Sequence, residues 1–171
     1  MERKNIITFK GNPLTLLGPE LKKGDAAPDF TCLDGTLKPA RLSDFKGQTI
    51  VISAVPSLDT PVCEIQTKRF NQEASGLNAK VLTISMDLPF AQKRFCDAFN
   101  IKNVTVLSDY KDHDFANQYG LLIKELGLIS RAVLVINKNG RIDYIEIVKE
   151  VTQEPNYQNA LNQVKSTAGV A

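Results

Sequence analysis

Histidine occurs once in this 171-residue chain, at His113, and cysteine three times, at Cys32, Cys63 and Cys96, with no two close enough for a CxxC pair. That scarcity excludes a zinc knuckle and leaves too few soft ligands for a metal site, so no cofactor or metal is expected. No apolar run approaches the roughly 20 residues that cross a bilayer, and the start MERKNIITFKGN has no apolar core of the signal-peptide kind. The expectation is a soluble, cytoplasmic protein. Long runs of one charge sign are also missing. The 21 basic and 19 acidic residues are scattered and leave a net charge of +2, which argues against nucleic-acid and membrane partners. There is no internal repeat, no low-complexity segment and no Ser/Gly/Pro-rich linker, and 43% of the residues are hydrophobic. A chain of that size and composition is expected to form one domain over residues 1–171.

What is present is an alternation of short apolar runs and helical patterns. Ile6–Phe9 and Leu14–Leu17 flank Gly11-Asn12-Pro13 and predict an N-terminal β-hairpin within residues 1–18. Thr49–Val55 and Lys80–Met86 are β-branched and apolar, the pattern of strands buried on both faces. A helix over about Pro61–Ala74 carries Val62, Ile65 and Phe70 as its apolar residues. A second, from Pro89, carries Phe90, Ala91, Phe95, Ala98 and Phe99 as its apolar residues, with Gln92, Lys93, Arg94 and Asp97 largely on the wet face. Further along come a strand at Val104–Leu107, a short helix at Asp114–Tyr119, and strands Ala132–Ile136 and Arg141–Val148 joined by an Asn137–Gly140 turn. A last helix over about Asn156–Ser166 follows Pro155. This order implies an α/β fold, a central mixed sheet flanked by helices, resembling the thioredoxin fold.

Cys63 draws attention by its position. Pro61 suits the first position of a helix, which makes Thr60 the N-cap and puts Cys63 third, in the register of a capping box with a thiol in place of the carboxylate. Unpaired amides and the helix dipole favour an anion there, and the thiolate is the nucleophilic form of cysteine. Glu64 opposes this with a charge of the wrong sign, so a cation is required from elsewhere in the fold. Arg131, just before the apolar strand Ala132–Ile136, is the best candidate. Thr60 can accept or donate a hydrogen bond at the same place, and Pro56 can shield the thiolate from water.

At this point the residues resemble a known family. Pro56-Ser57-Leu58-Asp59-Thr60-Pro61-Val62-Cys63 is similar to the Pro-x-x-x-Thr-x-x-Cys signature of the peroxiredoxins. Asp87-Leu88-Pro89-Phe90-Ala91-Gln92-Lys93-Arg94-Phe95-Cys96 resembles the resolving-cysteine helix of their thiol peroxidase subfamily, the atypical two-cysteine type. Arg131–Ile136 and Glu150–Pro155 are similar to that subfamily as well, and the resemblance covers essentially the whole chain. It implies a thioredoxin-like fold and a peroxidase that reduces hydrogen peroxide and organic hydroperoxides. Cys63 would be the peroxidatic residue, Cys96 the resolving one, and Thr60, Pro56 and Arg131 their supporting shell. It also implies a homodimer, with thioredoxin reducing the Cys63–Cys96 disulfide. Cys32 has no role in the family pattern, although it could compete as a resolving partner. The Gly-Gly-Leu-Gly and C-terminal Tyr-Phe motifs of easily overoxidised members are absent, which implies comparative resistance to sulfinic acid formation.

Three other functions compete on the residues alone. A cysteine hydrolase or transferase would need His113 as its base. A general thiol-disulfide oxidoreductase would favour a CxxC pair. A thioredoxin-like binding module or redox sensor would keep reactive thiols without turnover. Cys63 and Cys32 could equally be inert buried thiols, Cys96 ordinary packing beside Phe95 and Phe99, Thr60 only a cap and Arg131 a surface ion-pair partner.

Overall fold

Two neighbouring strands carry almost no polar residues because both of their faces are covered. A computed structural model describes residues 1–168. In chain order its elements are β1 (Glu2–Phe9), β2 (Asn12–Leu17), β3 (Thr31–Leu33), β4 (Pro39–Arg41), β5 (Ile50–Ala54), α1 (Pro61–Ala74), β6 (Lys80–Ser85), α2 (Pro89–Phe99), β7 (Thr105–Ser108), α3 (Asp114–Gln118), β8 (Leu122–Ile123), β9 (Leu128–Ile129), β10 (Ala132–Ile136), β11 (Ile142–Ile147) and α4 (Tyr157–Thr167). The main sheet has the order β11-β10-β5-β6-β7-β3-β4. Its centre, β5-β6-β7, is parallel because α1 and α2 form the crossovers, and the remaining pairs are antiparallel. Every residue of β5 and β10 is buried.

The two-residue period of the strands divides the core into two layers. Ile50, Ile52, Leu82, Ile84, Leu134 and Ile136 face Phe30, Phe115 and Tyr119 on one side of the sheet. Val51, Val81, Val133 and Val135 face the other side, where α1, α2 and α4 contribute Phe70, Phe95 and Val164. Cys63 lies in this second layer and Cys96 packs against it, whereas Cys32 lies in the first.

Several expectations are corrected. The hairpin turns at Lys10-Gly11, both with positive φ (50° and 83°), so Asn12 and Pro13 open β2 instead of forming the turn. In α1, Ile65 is half exposed and the buried stripe is Cys63, Gln66, Thr67 and Phe70. Gln92 of α2 is buried, not wet, because its amide donates to Ser85 Oγ at 2.9 Å and to the Leu107 carbonyl at 2.8 Å, while Phe90, Ala98 and Phe99 are exposed. Strands β3, β4, β8 and β9 were not expected; two or three residues are too few to show a period. The first strand begins at Glu2, well before the expected Ile6, and the other strand and helix limits agree within two residues.

Strands β1, β2, β8 and β9 form a second, four-stranded sheet. The hairpin is also fastened to the segment after β11. Thr8 N–H donates to the Lys149 carbonyl at 2.7 Å, and Val151 N–H donates to the Thr8 carbonyl at 2.9 Å. Between them the Glu150 carboxylate accepts the N–H groups of Lys10 (2.8 Å) and Gly11 (3.2 Å) and the hydroxyls of Thr8 and Thr152. Those donors, the two hydroxyls foremost, favour the ionised form and hold this carboxyl at about 2, below its ordinary 4.5. A lowered folded value means that the tie is intact above pH 4.5 and is lost as pH falls toward 2. Hydrogen exchange should therefore show the Lys10 and Gly11 amides losing protection across that window in wild type, and already unprotected at neutral pH in Glu150→Gln.

Candidate active site

The chain reaches Cys63 from the C-terminal end of β5. Val55 and Pro56 continue the strand direction as buried residues, and the loop then turns through Ser57–Thr60. Thr60 is the N-cap of α1 by its extended backbone (φ −105°), and Pro61 takes the first helical position, where its missing N–H costs nothing. Thr60 does not cap with its side chain, contrary to the capping-box register; its hydroxyl donates to the Ser57 carbonyl at 3.2 Å. Cys63 follows in the first turn with 0% of its surface exposed. The opposing charge of Glu64 is met within the helix, since its carboxylate pairs with Lys68 Nζ at 2.6 Å.

The required cation is Arg131. It precedes β10 and is 2% exposed. Its three nitrogens have separate partners: Nη2 donates to Cys63 Sγ at 3.2 Å, Nη1 to Gln66 Oε1 at 2.9 Å, and Nε to the Val151 carbonyl at 2.9 Å. No carboxylate pairs with it among the described residues. Burying an ion costs several kcal/mol unless a counter-charge meets it. Of the three partners of Arg131, Cys63 is the one whose ionised form would supply that counter-charge.

Gln66 is a site residue that the sequence reading passed over. It lies one turn from Cys63 on the same face, is fully buried, accepts from Arg131 through Oε1 and donates through Nε2 to Ser53 Oγ at 2.8 Å. Thr67 is buried next to it and donates to the Cys63 carbonyl at 2.8 Å. The available signal was the i, i+3, i+4, i+7 stripe 63-66-67-70, in which two polar residues occupy core positions.

The structure thus brings Cys63 and Arg131 into contact, with Thr60 at the cap and Pro56 buried at the end of the strand. Cys96 is on the neighbouring helix. It is half-buried, and burial raises its thiol above the ordinary range, helped by the charge of Asp97 and opposed by Lys93. All three cysteines are free thiols. Cys32 contacts the Asp109 carboxylate at 3.6 Å; burial first and then that charge push its thiol far up. On the far side of the sheet it is poorly placed to resolve Cys63. His113 is the N-cap of α3, beside Asp109, and makes no hydrogen bond to Cys63. The described residues contain no group of three His, Cys, Asp or Glu side chains able to hold a metal, and no helix long and apolar enough to cross a membrane.

Two outcomes follow from this arrangement. Gln66→Leu leaves Arg131 Nη1 and Ser53 Oγ without their partner and should lower the unfolding free energy by about 1–3 kcal/mol in denaturant titration. Iodoacetamide at pH 8 should leave Cys32 unlabelled in the folded protein and label it after unfolding, read by peptide mass spectrometry.

The redoxin family profile matches residues 22–161. A thiol peroxidase of Oceanobacillus iheyensis is 54% identical over 159 residues, covering 92% of this chain and 97% of that protein. A thiol peroxidase of Bacillus subtilis is 50% identical over 161 residues, covering 94% and 97%. Among solved structures, a peroxiredoxin-like protein from Aquifex aeolicus superposes with a TM-score of 0.90 at 47% identity, over 96% of this chain and 97% of that one. A thiol peroxidase from Chromobacterium violaceum, 20% identical, superposes with a TM-score of 0.86 over 96% and 98%, which extends the shared fold beyond the range of close sequence similarity.

Proposed function

The chain belongs to the redoxin family and is a thiol-dependent peroxidase with a thioredoxin-like fold, and from that premise we propose that Cys63 is its peroxidatic residue and Cys96 its resolving one. The observation that carries this reading is the 3.2 Å contact between Arg131 Nη2 and the Cys63 sulfur at the start of a helix. There a thiolate is held by a buried cation and by the unpaired amides of the first turn.

In the first step the Cys63 thiolate attacks one oxygen of the hydroperoxide. The S–O bond forms as the O–O bond breaks, the sulfur is oxidised to sulfenic acid, and the departing alkoxide or hydroxide takes a proton and leaves as alcohol or water. Arg131 stabilises the charge as it moves from sulfur to oxygen. The Thr60 hydroxyl, one turn away, can hydrogen-bond the peroxide, and Pro56 limits water. In the second step the Cys96 thiol attacks the sulfenic sulfur, an S–S bond replaces the S–O bond, and oxygen leaves as water with the thiol proton. An external dithiol, which we assign to thioredoxin, returns two electrons and two protons to the pair.

Leu58, buried, and Val62, half-buried, put apolar surface beside Cys63 and support organic hydroperoxides as substrates together with hydrogen peroxide. We read residues 1–171 as one domain with the hairpin as an extension, supported by the packing of Ile7, Leu14 and Leu16 against Ile123 and Val151. A cytoplasmic location suits a cycle that depends on reduced thioredoxin, and a homodimer fits the exposed Leu88, Phe90 and Phe99 on and beside α2. A hydrolase reading would need a histidine base, and Cys63 has an arginine instead.

Peroxide consumption coupled to thioredoxin, thioredoxin reductase and NADPH tests the cycle. Cys63→Ser should abolish turnover and Cys96→Ser should keep the first oxidation while losing most of the thioredoxin-linked rate. Cys32→Ser should match wild type. Full activity in Cys63→Ser would overturn the proposal.

A further inference from the structure

The loop that delivers Cys63 and the loop that begins the Cys96 helix meet at one side chain. The Asp87 carboxylate accepts hydrogen bonds from Ser57 Oγ at 2.7 Å, Leu58 N–H at 2.7 Å and Ser85 Oγ at 2.6 Å. Its own carbonyl accepts the Ser108 hydroxyl from the end of β7. Ser57 passes the constraint onward. Its carbonyl accepts from the Thr60 hydroxyl at 3.2 Å and the Thr60 N–H at 3.4 Å, and its Oγ accepts the Asp59 N–H at 3.2 Å. The carboxylate is therefore two residue-to-residue hydrogen bonds from the N-cap of α1, and it lies two residues ahead of Pro89, where α2 begins.

The opposite ends of the same helices are tied independently. The Asn71 side-chain oxygen accepts the N–H groups of Lys102 (3.1 Å) and Asn103 (2.8 Å), and Lys68 Nζ lies 3.9 Å from the centre of the Phe99 ring. Cys63 is the third residue of α1 and Cys96 the eighth of α2, and both helices cover the same face of the sheet. Cys63 is fully buried in the first turn of α1 and Cys96 lies in the last turn of α2, and the axes of neighbouring helices lie about 8–10 Å apart. A disulfide needs Cα atoms within about 7 Å. With the far end of α1 anchored and Cys96 within the tied last turn of α2, the displacement falls on the first turn of α1, which Asp87 holds.

We propose that Asp87 is a positioning residue, a latch that keeps the Ser57–Cys63 segment in its peroxide-reactive geometry and whose release governs how fast Cys63 reaches Cys96. This rests on the two-cysteine cycle above. A carboxylate suits the task because hydrogen bonds to an ionised acceptor are about twice as strong as neutral ones, and three donors converge here on one group. Asparagine in its place has nearly the same shape, but its amide nitrogen must face at least one of those donors.

The latch makes opposite demands on two steps, and a plain loss of stability would not produce that pattern. In Asp87→Asn, oxidation of Cys63 by cumene hydroperoxide, measured by competition with a peroxidase of known rate, should slow about tenfold or more as the thiolate and its partners lose alignment. Disulfide closure should quicken, so that without reductant the ratio of Cys63 sulfinic acid to Cys63–Cys96 disulfide, read by mass spectrometry at a fixed peroxide excess, falls several-fold below wild type. Ser57→Ala, which removes a single donor, should shift both quantities in the same directions by less and keeps the test available if Asp87→Asn does not fold. A wild-type protein that forms no Cys63–Cys96 disulfide overturns the cycle and the latch together. A wild type that forms it, with either quantity unchanged in the folded variants or the sulfinic fraction raised, overturns the latch alone.

Discussion

A buried guanidinium that no carboxylate meets among the described residues is the constraint around which this molecule is arranged. Arg131 is 2% exposed and divides its donors among a thiol, an amide and a backbone carbonyl. The partners come from two distant parts of the chain: Cys63 and Gln66 from α1, Val151 from the segment after β11. The sheet makes this possible. β10 lies beside β5, so the residue just before β10 and the helix that follows β5 meet at one end of neighbouring strands. Ser53, in β5 itself, completes the set by accepting from Gln66. Arg131, Gln66 and Ser53 are linked in one chain of hydrogen bonds, and the remaining guanidinium nitrogen faces the Cys63 sulfur.

The second layer of the design concerns what is kept out. Glu64, adjacent to Cys63, is drawn along the helix to Lys68 and away from the thiol. Cys32 is separated from Cys63 by the sheet and sits against Asp109, which together with burial keeps its thiol protonated. Two thiols that oxidation could trap are thus treated differently. Cys63 is given a cation, and Cys32 an anion.

Much of this was legible in the sequence. The helix start at Pro61, the place of Cys63 within it, the buried strands and the cation before Ala132 all depend on local pattern, and local pattern is what a sequence displays. The hairpin was legible too, though not its turn, because Gly11-Asn12-Pro13 is turn-like in composition while Lys10 takes up the left-handed conformation. Gln66, Gln92 and Asp87 were not legible. Each is a polar residue whose value comes from partners 13 to 30 positions away, Ser53 for Gln66, Leu107 for Gln92 and Ser57 for Asp87. Hydrophobic periodicity assigns such residues to solvent by default. Strands β3, β8 and β9 escaped for a different reason: they exist only because neighbouring backbone offers hydrogen bonds, and two or three residues carry no periodic signature of their own.

The dependence of Arg131 on the Val151 carbonyl reaches beyond the folded state. Val151 is in turn held by Thr8, so the cradle joins the eighth residue of the chain to the hundred and fifty-first. During synthesis the helix bearing Cys63 emerges long before either Arg131 or Val151. The nascent thiol therefore has its helix start but not its cation, and the contact between the Cys63 sulfur and a fully cradled guanidinium comes into being only when the Val151 segment is in place.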